Sequence, residues 1–151
     1  MSFSLLFNLA NLYVFPFWIC MALLPNRDFT KKLVSSYLIF LPLIGVYIYY
    51  LVATFNTETV ALLSSPQLEN IARFLSQEGS AGAAWVHFLA MDLFVGRWIY
   101  WQGREKQLFT THSLLLCFFF GPVGILSHLI TSWLLGKQPN STETTEDVSA
   151  A

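Results

Sequence analysis

The chain has 151 residues, of which 55% are hydrophobic, 17% aromatic and only 11% charged, with a formal net charge of −1. A water-soluble domain carries about 25% charged residues, so an ordinary soluble globule is excluded. With no basic excess, a nucleic-acid partner is excluded too. The composition is that of a membrane protein whose first partner is the lipid bilayer.

In chain order, four apolar stretches meet the length of about 20 residues that an α-helix needs to cross a bilayer. They are "FSLLFNLANLYVFPFWICMALL" (3–24), "LVSSYLIFLPLIGVYIYYLVATF" (33–55), the stretch 81–101, and "SLLLCFFFGPVGILSHLITSWLL" (113–135). Strand alternation is absent, and helices satisfy their own backbone in lipid. The predicted fold class is all-α, a polytopic membrane protein with four transmembrane helices. The first stretch has neither a basic leader nor a small-residue cleavage site, so it is expected to stay in the mature chain.

Between the second and third stretches, "SSPQLENIARFLSQEG" (64–79) predicts a short amphipathic helix, lying on the outer membrane surface or packed on the bundle as an ordinary connector. Ser65 is its expected cap, Pro66 fits its first turn and Gly79 ends it. Pro16, Pro42 and Pro122 fall near the middles of three spans and predict kinks. The transmembrane domain is thus 1–135, and the polar, acidic segment 136–151 is a disordered tail. Cys20 and Cys117 show neither disulfide nor metal-ligand spacing and read as packing residues. No metal site is expected.

Lysine and arginine set the orientation. Arg27, Lys31, Lys32, Arg97, Arg104 and Lys106 lie in or beside the first and third loops; Arg73 and Lys137 lie in the second loop and the tail. The first and third loops are therefore expected on the cytoplasmic (or stromal) side, with both termini on the opposite side of a plasma or thylakoid membrane.

The third stretch holds the main anomaly. "HFLAMDLFVGRWIYW" carries His87, Asp92 and Arg97, five residues apart. A charged aspartate near the midplane costs about 2.5–3.5 kcal/mol even on a lenient insertion scale, so Asp92 points to function. Spacing by five turns each group about 140° from the last; the three need partners on different neighbouring helices. Asp92 shares its face with Trp85, Leu89 and Gly96. If the fourth stretch is one span, His128 lies roughly 10 Å from the outer surface and His87 roughly 9 Å, so the two histidines share a depth and are expected to approach. Asn8, Asn11 and Tyr47 (with Tyr49 and Tyr50) occupy the same outer half. Gly121, Pro122 and Gly124, the "GPVG" break, leave space at the depth of Asp92.

These residues carry a resemblance. "AWVHFLAMDLFVGRWIYW" followed by "FFFGPVGILSHLI" resembles the abscisic-acid-deficient-type (neoxanthin-synthase-like) family of small four-helix membrane proteins, found in plastids, cyanobacteria and other bacteria. The likeness covers about residues 3–135. It implicates Trp85, His87, Asp92, Gly96, Arg97 and Trp98 by position. Because the chain begins almost directly at its first helix, a bacterial, cyanobacterial member is expected.

The resemblance implies carotenoid metabolism, since plant members are tied to making neoxanthin from violaxanthin. That conversion is an isomerisation, opening an epoxide and forming an allene, and it needs no redox cofactor. It calls for an acid at the epoxide oxygen and a base at the polyene. Asp92 is the candidate acid, with His87 or His128 as base or relay. The ligand-binding candidates are Trp85, Gly96, Arg97, Trp98, Asn8, Asn11, Tyr47, Gly121, Pro122 and Gly124. On this reading the chain is a cofactor-free xanthophyll isomerase or carrier. A second reading is a non-catalytic factor in a homo-oligomer or pigment–protein complex. A third is a haem-binding electron carrier with His87 and His128 as paired axial ligands.

Overall fold

The computed structural model describes residues 2–135. Among these it is all-helical: eight α-helices, one 3-10 turn and no strand. The segment 136–151 and its expected disorder lie outside the described residues.

Helix α1, Phe3–Leu23, is capped by the Ser2 hydroxyl, which accepts from the Leu5 amide, and runs through Pro16 without ending. It stops at Leu24, whose carbonyl accepts from the Thr30 hydroxyl at 2.8 Å. That bond folds the short helix α2, Asp28–Ser35, back across the end of α1. Ser36 is extended, and its hydroxyl accepts from the Leu38 amide to start a 3-10 turn, Tyr37–Phe40. Helix α3, Leu41–Thr54, follows directly. The expected span 33–55 is therefore divided. Its amphipathic beginning, with Lys31 and Lys32, belongs to α2, and the continuous apolar part starts at Tyr37. Pro42 sits in the first turn of α3, where its missing N–H costs no bond, and is not a mid-helix kink.

The second loop holds two short helices where one was expected. Helix α4, Thr57–Ser64, is capped by Asn56, whose side chain accepts from the Thr59 amide. Helix α5, Leu68–Leu75, has no buried residue; Leu68 is 86% exposed. Gly79 does not end this helix. It opens helix α6, Glu78–Glu105, where Phe3 and Thr54 pack against its bare backbone.

At 28 residues, α6 spans about 42 Å and is the element that α1, α3, α5 and the two helices after it all pack upon. It ends in a reversal in which the Leu108 amide reaches back to the Gly103 carbonyl at 2.7 Å, with Gln107 at a left-handed φ of 55°.

The fourth expected span is not one continuous helix. Helix α7, Thr111–Phe119, stops at Phe120, and helix α8, Gly121–Leu135, turns back alongside it. Ser113 and Ser127 hydroxyls meet at 3.0 Å, and His112 meets the Thr131 hydroxyl at 2.9 Å. In one continuous helix Ser113 and Ser127 would be about 21 Å apart. The hairpin tip rests on the middle of α6, where Asp92 fills the space beside Gly121. Its far end returns to the α6–α7 turn, where the Lys106 ammonium donates to the Ser132 hydroxyl at 3.0 Å.

Two ends follow. Ser2, Thr54 and Gly79 gather at the amino end. Asn26, Arg97, Arg104, Lys106 and Ser132 gather at the other, called here the basic end. The described chain starts at the amino end and α8 finishes at the basic end, which lends no support to the expectation that both termini share a side. Two helical stretches, Phe3–Leu23 and Tyr37–Thr54, are long and apolar enough to cross a membrane.

Gly124 is what allows the hairpin to close, because a Cβ there would run into the Cys117 backbone. Gly124→Val is expected to destabilise the protein by about 1–3 kcal/mol through overpacking. Gly45 has nothing within 4 Å, so Gly45→Ala should hold or gain up to about 1 kcal/mol in helix propensity. Denaturant unfolding of the detergent-solubilised variants checks both.

Candidate functional site

His87, Asp92 and Arg97 of α6 do find three different neighbours, as their 140° offsets require. His87 is exposed and lies against the Tyr47 ring of α3, centroids 5.8 Å apart. Arg97 turns to α2. Its Nε donates to the Val34 carbonyl at 2.6 Å, its Nη2 donates to the Ser35 carbonyl at 3.1 Å, and its guanidinium lies 4.1 Å over the Tyr37 ring. A cation on the last carbonyls of a helix is a favourable cap, so Arg97 fastens α2 to α6. Asp92 faces the hairpin tip.

Asp92 is half-buried, and its carboxyl makes no hydrogen bond or ion pair among the described residues. Its backbone carbonyl accepts from the Cys117 thiol at 3.8 Å. Only a residue without a Cβ fits beside the carboxyl, and Gly121 supplies it. Gly96, one turn further along α6, makes the same kind of room for the Trp18 ring of α1. Trp18 in turn packs edge-on against Phe118 of α7. The small residues of the sequence motif thus mark where α1 and the hairpin approach α6 most closely.

His128 does not join His87. It faces Trp98, ring centroids 5.2 Å apart, and Trp98 lies eleven residues beyond His87, about 16 Å along α6. The expectation of a shared depth fails because α8 runs back toward the basic end instead of on to the amino end. The two histidines are not paired ligands of one haem in this chain, and they form no common relay. His128 is 1% exposed, and neither ring nitrogen has a hydrogen-bond partner among the described residues. Nor do three or more His, Cys, Asp or Glu side chains gather in one place among those residues.

The remaining candidates divide between two sides of α6. On one, the Trp85 Nε1 donates to Asn11 Oδ1 at 3.0 Å, and Asn11 is itself held by donating to the Phe7 carbonyl at 2.8 Å. Phe7 and Trp85 rings lie 5.8 Å apart. Together with Phe3, Ser4, Tyr50, Glu78, Ala81 and Gly82 they line a groove of about 380 Å³ between α1 and α6. On the helical wheel Glu78, Ala81, Trp85 and Asp92 fall within about 60° of one another. The groove takes in the part of this stripe from Glu78 to Trp85, about 10 Å of α6, and Asp92 lies on the same stripe two turns, about 10 Å, beyond it. Tyr47 and His87 lie on the α3 side, away from it, and Asn8 is exposed on α1. Pro122, exposed, starts α8 behind Gly121.

The aromatic wall from α1, Phe3 and Phe7, was not singled out in the sequence. Its signal is only the spacing of four, which puts both rings on one helical face. Arg104 and Thr110, at the basic end, were also missed. Nothing in their local sequence distinguishes them, because the α6–α7 reversal brings them together.

The model of the ABA DEFICIENT 4-like family matches residues 5–128. This chain belongs to that family. It is 36% identical over 140 residues to Protein ABA DEFICIENT 4, chloroplastic, of Arabidopsis thaliana. The alignment covers 89% of this chain and 64% of that relative, so the chain spans just under two thirds of the length of the protein it matches. No solved structure matches it.

Arg97 tests whether this part of the family motif is structural. Arg97→Ala removes two charge-assisted bonds and is expected to cost about 2–4 kcal/mol. Arg97→Lys should recover less than half, because an ammonium cannot span two carbonyls and stack on Tyr37 as well. Chemical unfolding followed by tryptophan fluorescence measures both.

Proposed function

We propose that this chain is a membrane-embedded protein of carotenoid metabolism that holds a xanthophyll epoxide against α6 and isomerises it. The observation that carries this reading is membership of the ABA DEFICIENT 4-like family, with a 36% identical relative over most of the chain. The family resemblance implies conversion of violaxanthin to neoxanthin, which makes a hydroxylated, epoxidised end ring the group to be handled.

In the bilayer, α1, the stretch Tyr37–Thr54 and α6 cross, while α7 and α8 enter from the basic end and return to it. The basic end faces the cytoplasm or stroma, in keeping with its lysines and arginines. Support comes from the large apolar residues left exposed on the exterior, among them Leu12, Leu38, Val52, Phe55 and Trp133. Such a surface suits lipid and not water.

The ligand's end ring enters the groove between α1 and α6, where Phe7 and Trp85 offer aromatic faces and Asn11 fixes the indole. The epoxide reaches Asp92. Its carboxyl, not engaged by any cation or donor among the described residues, delivers a proton to the epoxide oxygen as the carbon–oxygen bond opens. The resulting carboxylate then takes the proton that leaves the adjacent polyene carbon, and the allene forms. One carboxyl serves both steps because His87 lies against Tyr47 and His128 against Trp98, neither of them beside Asp92. The reaction is a net isomerisation and returns Asp92 to its starting state.

The test is conversion of violaxanthin by the purified protein in mild detergent, followed by chromatography. General acid–base catalysis is worth about 10²–10⁴-fold, so Asp92→Asn should cut conversion by that factor while pigment binding and unfolding midpoint stay near wild type. Full conversion by the variant would remove Asp92 from the mechanism. Pigment binding without conversion by the wild-type protein would make the chain a carrier.

A further inference from the structure

A second cavity, of about 230 Å³, lies at the basic end, far from the groove between α1 and α6. It is walled by the end of α6, the α6–α7 reversal and the start of α7, with Pro25 and Asn26 opposite. Four features of its lining converge on one ligand chemistry.

The first is Arg104. Its Nη1 donates to the Pro25 carbonyl at 2.8 Å and to Asn26 Oδ1 at 3.2 Å. A guanidinium carries five N–H donors in a fork. The guanidinium also meets the Tyr100 side chain, its Cζ 5.8 Å from the ring centroid, while Nε and Nη2 donate to no backbone carbonyl among the described residues. The second is the start of α7. Its first amides have no intrahelical acceptor, and Thr110, in the capping position, makes no side-chain capping bond to them. That leaves the positive end of the helix dipole beside the cavity, where Thr110 and Thr111 form part of the wall, and such an end favours an anion. The third is the Thr110 side chain. It is only 8% exposed and lines the cavity, yet its hydroxyl has no hydrogen-bond partner among the described residues. The fourth is Gln107, held at a left-handed φ of 55°, which few side chains adopt. It folds Leu108 to Thr111 back over α6 and so builds the cavity wall.

The surroundings are mainly basic, with Arg27, Lys31, Lys32 and Lys106 on the same end. Two acids stand against them. Asp28 is exposed and paired with Lys31 at 2.7 Å, and that contact, aided by Arg104, holds its carboxyl below the usual range. Glu105 is exposed at the end of α6.

We propose that this cavity binds a phosphate group, held by the free edge of Arg104, the Thr110 hydroxyl and the uncapped amides at the start of α7. At the basic end of a membrane protein two sources share this chemistry: an anionic lipid headgroup and a free phosphate. The proposal does not depend on the xanthophyll reading.

The experiment is titration of the purified full chain in a maltoside detergent, at constant ionic strength. The probes are dioctanoyl phosphatidic acid, inorganic phosphate and, as the control without phosphate, dioctanoylglycerol. One saturable site for phosphatidic acid, with dioctanoylglycerol silent, is expected. Arg104→Gln should weaken it about tenfold or more, and Thr110→Val about fivefold. Binding of the lipid alone assigns a headgroup; competition by inorganic phosphate assigns a free phosphate, and either supports the site. Arg104 also anchors Pro25, so its variant is open to misfolding. Thr110→Val breaks no hydrogen bond of the fold and decides in that case. Unchanged affinity in Thr110→Val, or no saturable binding of either phosphate probe, overturns the proposal.

Discussion

The fold turns on one contact, the Asp92 carboxyl against the bare backbone of Gly121. It fixes how far the α7–α8 hairpin reaches along α6. It also decides that the hairpin stops halfway, since a tip without a Cβ is what fits over a side chain there. From that stop follow the return of α8 to the basic end and the seating of His128 on Trp98. The part of α6 between Asp92 and the amino end is left free of the hairpin, and the groove between α1 and α6 lies along it.

A chain reversal inside an apolar layer is tolerable only if its backbone groups are satisfied. Here the Phe120 amide donates to the Leu116 carbonyl, and the Phe120 carbonyl accepts from both Val123 and Gly124 amides. Pro122 has no N–H to satisfy. Within the hairpin the polar side chains pair with one another, Ser113 with Ser127 and His112 with Thr131. The hairpin therefore brings few unmet polar groups into the layer. His128 is the exception, buried with both nitrogens unpaired.

The all-helical class, the first and third helices, and the need of His87, Asp92 and Arg97 for separate neighbours were legible in the sequence, because hydrophobic length and helical period encode them directly. The break at Ser36 was less so, since "LVSSYLIF" is apolar on both sides and the Ser36 capping bond is a matter of side-chain geometry. The hairpin was hidden by composition. Residues 113–135 are mostly apolar and carry no charged side chain, and a Gly-Pro pair in such a run reads equally as a kink or a turn. What selects the turn is long-range: Asp92 under the tip, Cys117 against Gly124, and Lys106 holding the end of α8 at Ser132. Mistaking the turn for a kink moved His128 to the wrong end, and the expected histidine pair went with it.

The reading of the site depends on that reversal. If α8 instead continued to the amino end, it would cover the stripe of α6 assigned to the ligand, and His128 would stand beside His87. The most direct measurement is the distance between spin labels on cysteines placed at Lys106 and Ser132, with Cys20 and Cys117 replaced by alanine. The hairpin predicts adjacent labels, separated by little more than their own tethers. A distance of about 30 Å, the span of an unbroken helix over that stretch, would contradict the account.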